Sequence, residues 1–293
     1  MRPQKTIAIM PHTGKPLALA VATKAAELLE KYGAKVLIPK EDATAGDMLK
    51  YASETALDAA DLIIVVGGDG SILKASQDAR VKKIPLLGIN TGHIGFLTEI
   101  EVDEVEKYAK AIAEGNYSIE ERLLIRTIVS SKRANCEGPF YCLNDAVLSR
   151  GAAARLIYFD VFVDDSFVGQ YPADGMLVAT PTGSTAYSLS AGGPLVDPDV
   201  SCMLLTPVCP HMLSARPIVV GVQHRFSIRV NESDGEVLLS VDGVLKASLK
   251  KGDELLVEAA SERLMFAKLN VRTFYDVLRG RFQVSRNPNT PEN

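Results

Sequence analysis

The chain has 293 residues, of which 47% are hydrophobic and 23% are charged, and this composition is typical of a globular protein with one large or two medium domains. Its formal net charge of -4 offers no field that would attract nucleic acid or an anionic membrane. No apolar run is long enough to cross a bilayer, the N-terminus lacks the apolar stretch of a signal peptide, and the four cysteines form no Cys-x-x-Cys pair. We therefore expect a cytoplasmic protein with reduced thiols.

The first third of the chain alternates between short apolar runs and helical patterns. The apolar runs predict strands at residues 6–10 (TIAIM), 35–38 (KVLI), 62–66 (LIIVV) and 85–90 (PLLGIN). The segments around them predict helices at residues 17–32, 71–79 and 103–114. This alternation indicates a Rossmann-like α/β domain, with a parallel sheet covered on both faces, which we place at residues 1–116.

The pattern changes near residue 117. Short β-rich segments bounded by turn residues follow at 123–130, 146–149, 156–163, 226–230, 237–241 and 255–259. Asp164-Asp165-Ser166 and Ser233-Asp234-Gly235 are typical of hairpin turns. These features predict an antiparallel β-sandwich-like domain at residues 117–270.

A glycine-rich loop, Gly67-Gly68-Asp69-Gly70, directly follows the strand predicted at 62–66. Ligands bind beyond the carboxyl ends of strands in open α/β sheets, and free amides at a helix start suit a phosphate. A carboxylate would repel that phosphate unless it accepts a proton or contacts a metal, so Asp69 is a candidate general base, magnesium contact, or both. The alternative is a tight turn in which Asp69 caps the helix. Lys74 is either a phosphate contact or part of a solvated helix face.

Two further segments of the β-rich region are candidate binding elements. Asn144-Asp145 pairs an amide with a carboxylate and suits ribose hydroxyls or an adenine edge, although such a pair in isolation is usually a turn. Residues 180–194 (TPTGSTAYSLSAGGP) are rich in hydroxyl and small side chains, which need partners inside a fold. Thr182 or Ser184 is a candidate helix cap. Apolar flanks tie the segment to the core, which favours a site over a surface loop.

Taken together, these motifs resemble the NAD kinase family. The matching segments, which cover nearly the whole chain in the family's order, are residues 67–71 (GGDGS), 90–97 (NTGHIGFL), Asn144-Asp145, Asp174-Gly175, 180–194 and 209–217 (CPHMLSARP). The Thr-Pro-Thr-Gly-Ser-Thr-Ala-Tyr run is highly specific, whereas the Gly-Gly-Asp-Gly loop is shared with lipid kinases and phosphofructokinases. The resemblance implies transfer of a terminal phosphoryl group to the 2′-hydroxyl of the adenosine ribose of NAD.

The resemblance also implies roles for individual residues. Asp69 would be the catalytic base, and Gly70 and Lys74 would make phosphate-side contacts. The remaining NAD-binding positions would be Asn144, Asp145, Arg155, Asp174, Thr185, Ala186, Tyr187, Ser188, Leu189 and Ser190. Asp145 stands where many members have Glu, and Val244 stands where some members have a polar NAD contact, a role we do not carry over.

The family's other properties give further expectations. The donor would be ATP or polyphosphate, used with Mg2+, and the active site would lie in the cleft between the two domains. The segment 271–293 would pack back on the α/β domain, and the protein would form a homodimer or homotetramer. Two alternatives remain at this point: a kinase with the same loop that acts on a lipid or sugar phosphate, and a non-catalytic dinucleotide sensor.

Overall fold

The computed structural model describes residues 4–44, 46–92, 95–131, 137–151, 156–233 and 235–282. The helices are α1 (Pro16–Lys31), α2 (Asp69–Lys82), α3 (Val105–Ala113), α4 (Tyr187–Ser190) and α5 (Phe274–Arg281). The strands are β1 (Thr6–Pro11), β2 (Lys35–Pro39), β3 (Ala52–Ser53), β4 (Leu62–Gly67), β5 (Leu86–Asn90), β6 (Ile100–Glu101), β7 (Ser118–Ser130), β8 (Glu137–Cys142), β9 (Asp145–Arg150), β10 (Ile157–Val163), β11 (Ser166–Ala173), β12 (Gly175–Ala179), β13 (Cys202–Val208), β14 (Ile218–Gly221), β15 (Arg225–Glu232), β16 (Val237–Val241), β17 (Val244–Leu249) and β18 (Glu254–Lys268). The chain divides into two compact units, Met1–Glu120 with Met265–Asn293, and Glu121–Leu264.

The first unit is built on a parallel sheet with the strand order β3-β2-β1-β4-β5. β4 is buried along its whole length, as expected for a central strand of a sheet with helices on its faces. The order of the strands reverses between β1 and β4, and such a switch point is where open α/β sheets bind ligands. The predicted α/β architecture is confirmed.

The second unit contains two antiparallel sheets that share one hydrophobic core. One sheet has the order β14-β13-β12-β9-β16-β17, and the other joins β11, β10, β15 and the first part of β18. Phe159 and Phe226 from one sheet and Met176 and Leu205 from the other lie in the same buried cluster. This arrangement confirms the predicted sandwich of antiparallel sheets.

Two hairpins in this unit have two-residue turns. Asp164-Asp165 joins β10 to β11, as the sequence predicts, with Val163 paired to Ser166. Asp242-Gly243 joins β16 to β17, and both residues have positive φ values of 46° and 79°. The second turn therefore has the sign pattern of a type I′ turn, whose twist matches that of the flanking strands. Asp234 of the other predicted turn lies outside the described residues.

The chain returns to the first unit after Leu264. Phe266 pairs with Leu86 in parallel register, so the end of β18 lies beside β5. The backbone N–H of Leu269 then donates to Glu99 Oε1 at 2.7 Å. Within the described ranges, no helix is long and apolar enough to span a membrane.

Candidate functional site

Asp69 is the first residue of α2, immediately beyond the end of β4. Its Oδ2 accepts a hydrogen bond from the backbone N–H of Phe96 at 3.0 Å, and its Oδ1 accepts one from Leu97 at 3.1 Å. The position before it, Gly68, is the N-cap and supplies no side-chain bond. The alternative in which Asp69 caps the helix is therefore wrong, because its carboxylate accepts from the backbone of a separate loop, at Phe96 and Leu97.

The loop that holds Asp69 approaches it very closely. A Cβ atom at Gly95 would lie 2.0 Å from Asp69 Oδ1, well inside van der Waals contact. Only glycine permits this approach, which brings two consecutive backbone N–H groups onto one carboxylate. The orientation of the carboxylate is thus fixed by main-chain donors, and each oxygen keeps further acceptor capacity.

A cavity of about 320 Å³ lies at the carboxyl ends of β1 and β4, where the strand order reverses. Gly70 and Lys74, both predicted to contact phosphate, line it together with His12 and Lys15, which the sequence did not single out. None of these three basic side chains forms an ion pair within the described part of the chain. The N-terminal end of α2 adds further positive potential. The cavity is chemically suited to an anion.

One acidic side chain, Asp42, also lines this cavity. Partial burial raises the pKa of its carboxyl group, the nearby Glu41 raises it further, and the positive charge of Lys74 acts in the opposite direction. With Lys15 and Lys74 against one half-buried acid, the balance of charge at the cavity is positive.

In the second unit, the Asn144-Asp145 pair is held in place by a carboxylate that sequence reasoning missed. Asp242 accepts hydrogen bonds from the backbone N–H groups of Leu143 and Asn144, at 2.8 Å each, and of Asp145, at 3.1 Å. The one signal available in the sequence is the pair Asp242-Gly243, which is typical of a hairpin turn and was not among the turns predicted above. That signal predicts a local bend and carries no information about a partner about a hundred residues away along the chain.

Asp145 is a buried carboxyl group. Burial is the largest cause that raises its pKa to about 7, the neighbouring charge of Asp242 adds to the shift, and a hydrogen bond from the backbone N–H of Tyr187 partly opposes it. Burial also raises the pKa of Asp242, against the effect of its three backbone donors. With a pKa of about 7, Asp145 is partly protonated near neutral pH, which is unusual for an aspartate.

Replacing Asp145 with Asn is expected to raise the free energy of unfolding at about pH 8 by roughly 2 to 4 kcal/mol. The folded pKa lies above the unfolded one, so the stability linked to the bound proton is present at low pH and lost as pH rises from 3.8 to about 7. Asn has no proton to lose and can still accept the Tyr187 N–H. Urea unfolding of both proteins across this range measures the difference.

The matched control is Asp165→Asn, since that carboxylate is 96% exposed. Its effect on the free energy of unfolding should be small and should not grow with pH. A stability difference for Asp145→Asn that is the same at every pH would contradict a raised pKa for Asp145.

Several side chains of the hydroxyl-rich segment 180–194 form hydrogen bonds with backbone groups of this segment and its neighbours. The Thr180 hydroxyl donates to the Leu143 carbonyl and accepts from the Gly183 N–H. Ser184 Oγ donates to the Val196 carbonyl at 3.1 Å, so it does not cap a helix. The 3-10 helix Thr182–Thr185 has no side-chain cap, and the capping expectation is wrong for both candidates.

Gly183 joins this segment to the Asn144 turn. A Cβ atom at Gly183 would lie 2.1 Å from the carbonyl oxygen of Asn144. The backbone N–H of Thr180 also donates to that carbonyl, at 2.9 Å. The structure therefore brings Asn144, Asp145 and the start of the 180–194 segment together around shared backbone contacts.

The predicted adenosine-binding stretch presents its side chains unequally. Tyr187 and Ser190 are exposed, whereas Thr185, Ala186 and Leu189 are half-buried. Ser188 is buried, with its hydroxyl 3.1 Å from that of Thr206, so its side chain supports the fold.

Asp174 lies at the other end of β12 from this cluster, because Gly175 pairs with Ser149 whereas Ala179 pairs with Asp145. It is half-buried, and its Oδ2 lies 3.6 Å from the guanidinium of Arg150. Arg155 lies outside the described residues.

A divalent cation has few protein ligands available. Among the residues with described positions, no group of three or more His, Cys, Asp or Glu side chains could hold a metal ion. Mg2+ commonly binds proteins through one or two carboxylates and takes its other ligands from phosphates and water. Asp69, with remaining acceptor capacity beside an anion cavity, fits a cation that arrives with a phosphate substrate.

Comparison with known proteins places these features in one family. The sequence matches the family models for the ATP-NAD kinase N-terminal domain over residues 9–117 and the ATP-NAD kinase C-terminal domain over residues 143–269. It is 43% identical over 277 residues to the NAD kinase of Symbiobacterium thermophilum, an alignment that covers 93% of this chain and 96% of that protein.

Solved structures give the same result for the fold. Yeast NADH kinase complexed with NADH aligns with a TM-score of 0.87 at 24% identity, covering 100% of this chain and 91% of that one. The NAD kinase from Archaeoglobus fulgidus in complex with ATP aligns with a TM-score of 0.71 at 27% identity, covering 93% and 98%. On the matches of both domains and the near full-length relative, the chain belongs to the NAD kinase family.

Proposed function

We propose that this protein transfers the γ-phosphoryl group of ATP to the 2′-hydroxyl of the adenosine ribose of NAD, with Asp69 as the general base. The observation that carries the role of Asp69 is its carboxylate, fixed by two backbone donors at the end of β4 and next to a basic cavity. Membership of the NAD kinase family supports the choice of substrates. ATP is the ligand in the related Archaeoglobus structure.

In the proposed reaction, Asp69 accepts the 2′-hydroxyl proton as that oxygen forms a bond to the γ-phosphorus. The bond from the γ-phosphorus to the oxygen that bridges to the β-phosphate breaks, and ADP leaves with that electron pair. Gly70, Lys74, Lys15 and His12 would hold the donor phosphates through main-chain N–H groups and positive charge. Polyphosphate, a chain of the same anionic groups, is a second candidate donor.

The acceptor is proposed to be bound by the second unit. Asn144 and Asp145 would hydrogen-bond NAD, and Asp174 would accept from hydroxyl or amino groups of its adenosine end. The exposed Tyr187 and Ser190 would present side chains to the nucleotide. Ser188 would act by supporting the segment, since its hydroxyl is buried against Thr206. Thr185, Ala186, Leu189 and Arg155 complete the proposed contacts.

Mg2+ is the proposed cofactor. When bound, it would neutralise charge on the donor phosphates, and Asp69 is the protein group best suited to contact it. The protein itself would orient the base and bind the two substrates in the relative positions that the reaction requires.

A kinetic matrix tests the proposal. NAD and NADH are each assayed against ATP and polyphosphate, with Mg2+ or with EDTA, and NADP or NADPH is measured by an enzymatic cycling assay. We expect NADP formation from NAD, ATP and Mg2+, and loss of turnover with EDTA. Phosphorylation of a lipid or sugar phosphate in place of NAD would reassign the acceptor. Tight NAD binding without turnover would indicate a dinucleotide sensor.

Location and assembly are further parts of the proposal. The free thiols of Cys142, Cys202 and Cys209 support a reducing compartment, consistent with the cytoplasm. A homodimer or homotetramer is proposed from the family resemblance alone.

A further inference from the structure

The loop that holds Asp69 is itself packed against the C-terminal helix of the same unit. The ring of Phe96, whose N–H donates to Asp69 Oδ2, has its centroid 5.8 Å from that of Phe274 on α5. The guanidinium carbon of Arg281, about two turns further along α5, lies 5.2 Å from the Phe96 ring centroid. α5 therefore contacts the residue that supplies one of the two bonds to Asp69.

The segment leading into α5 is anchored beside this loop by carboxylates. Arg272 donates to Glu104 Oε2 at 2.9 Å, and its guanidinium lies 3.8 Å from Glu101 Oε1. Glu101 also accepts from the amide of the buried Asn90, at 3.0 Å. The start of α5 has a capping box, in which Thr273 and Asp276 satisfy each other's backbone N–H groups. The helix is thus fixed at its N-terminal end before it reaches Phe96.

The hydrogen bonds to Asp69 leave little tolerance for a shift of Phe96. They come from consecutive residues, each within about 3.1 Å of a different carboxylate oxygen. Rotation of the Phe96–Leu97 peptide would weaken one of these two hydrogen bonds and change the orientation of the Asp69 carboxylate. Small displacements of a reacting group lower rates strongly, even when the substituted residue is remote from the chemistry.

We infer that α5 is a positioning element for the reaction: Phe274 and Arg281, by packing on Phe96, set the orientation of the Asp69 carboxylate. Neither residue touches the reacting atoms. This inference rests on the proposed role of Asp69 as the base, and it assigns a part in turnover to a helix that carries none of the family motifs.

A double-mutant cycle tests the inference, with Phe274→Ala and Asp69→Asn made singly and together in the full chain. We expect Phe274→Ala to lower kcat by about tenfold, with KM for NAD and for ATP within about twofold of the wild type. In the Asp69→Asn background the same change should leave the residual rate unaltered, because there is no base left to orient. Phe274→Tyr, which keeps the ring, should retain kcat.

Phe282→Ala is the matched control, since Phe282 directly follows α5, is 46% exposed and has no ring contact within the described residues. If Phe274→Ala fails to fold by circular dichroism, Phe274→Leu replaces it. The inference is overturned if Phe274→Ala matches Phe282→Ala in kcat, or if it lowers the rate equally in both backgrounds, as a purely structural loss would. Wild-type turnover by Asp69→Asn would instead overturn the proposed base, and the inference with it.

Discussion

Asp69→Asn is expected to lower kcat by about 10² to 10⁴-fold, the usual contribution of a general base, while NAD still binds. Asn is nearly isosteric with Asp but cannot take up the 2′-hydroxyl proton. The substitution also disturbs the backbone hydrogen bonds that orient residue 69. Both carboxylate oxygens accept from backbone N–H groups, so an amide places its own NH2 against one of those donors.

Steady-state kinetics and NAD binding by calorimetry measure the two effects separately. A fall in kcat with an unchanged Kd for NAD indicates loss of the base. The control is Asp78→Asn, an exposed aspartate on the same helix, which should leave both quantities unchanged. Turnover of Asp69→Asn within about threefold of the wild type would contradict general-base catalysis by this residue, because that factor is below what a base contributes.

The sequence predicts the first unit well because its strands are short, contiguous apolar runs. The run at 62–66 became β4, and the run at 6–10 became β1, each with one further residue. The helix predicted at 71–79 instead begins at Asp69. Glycine has low helix propensity, so Gly70 argued for a longer loop, while the tertiary contact of Asp69 with the loop at 95–97 allows the helix to start earlier.

Several elements were not predicted because their local signals are weak. β8 includes Gly138-Pro139, a pair that usually argues against a strand. Its first three residues are exposed, and it is paired only with β7 in the described sheet. α5 has just eight residues, although Thr273-x-x-Asp276 is a readable capping signal. Short elements depend on their packing partners, and those partners are distant in sequence.

The residues of the candidate site likewise differ in whether a local sequence signal reveals them. Asp69, Asn144 and Asp145 are found from sequence because each stands in a local motif. Asp242 is not, since its function is a contact with residues 143–145, far away in the chain. The unequal exposure of Tyr187 and Ser188, adjacent in one motif, likewise depends on Thr206 of β13 and has no local signal.

Asp242→Ala is expected to lower the free energy of unfolding by about 3 kcal/mol and to raise the Kd for NAD at least about tenfold. Three backbone N–H groups lose their acceptor at once, and each buried unpaired donor destabilises the fold by about 1 to 3 kcal/mol. Removing a carboxylate whose own burial is unfavourable offsets part of this loss. The Asn144-Asp145 turn is then free to move, and it is the proposed NAD contact.

Urea unfolding and calorimetry with NAD measure these changes. Asp160→Ala is the control, because the half-buried Asp160 carboxylate bonds only to the side chains of Gln170 and Asn231 among the residues described. That variant should stay within about 0.5 kcal/mol of the wild type. The free energy of unfolding of Asp242→Asn should lie between those of Asp242→Ala and the wild type. The amide oxygen can still accept from Asn144 and Asp145, while the NH2 group opposes the Leu143 N–H. Wild-type NAD affinity in Asp242→Ala would show that the turn keeps its binding geometry without this carboxylate, and that Asp242 is needed for the hairpin alone.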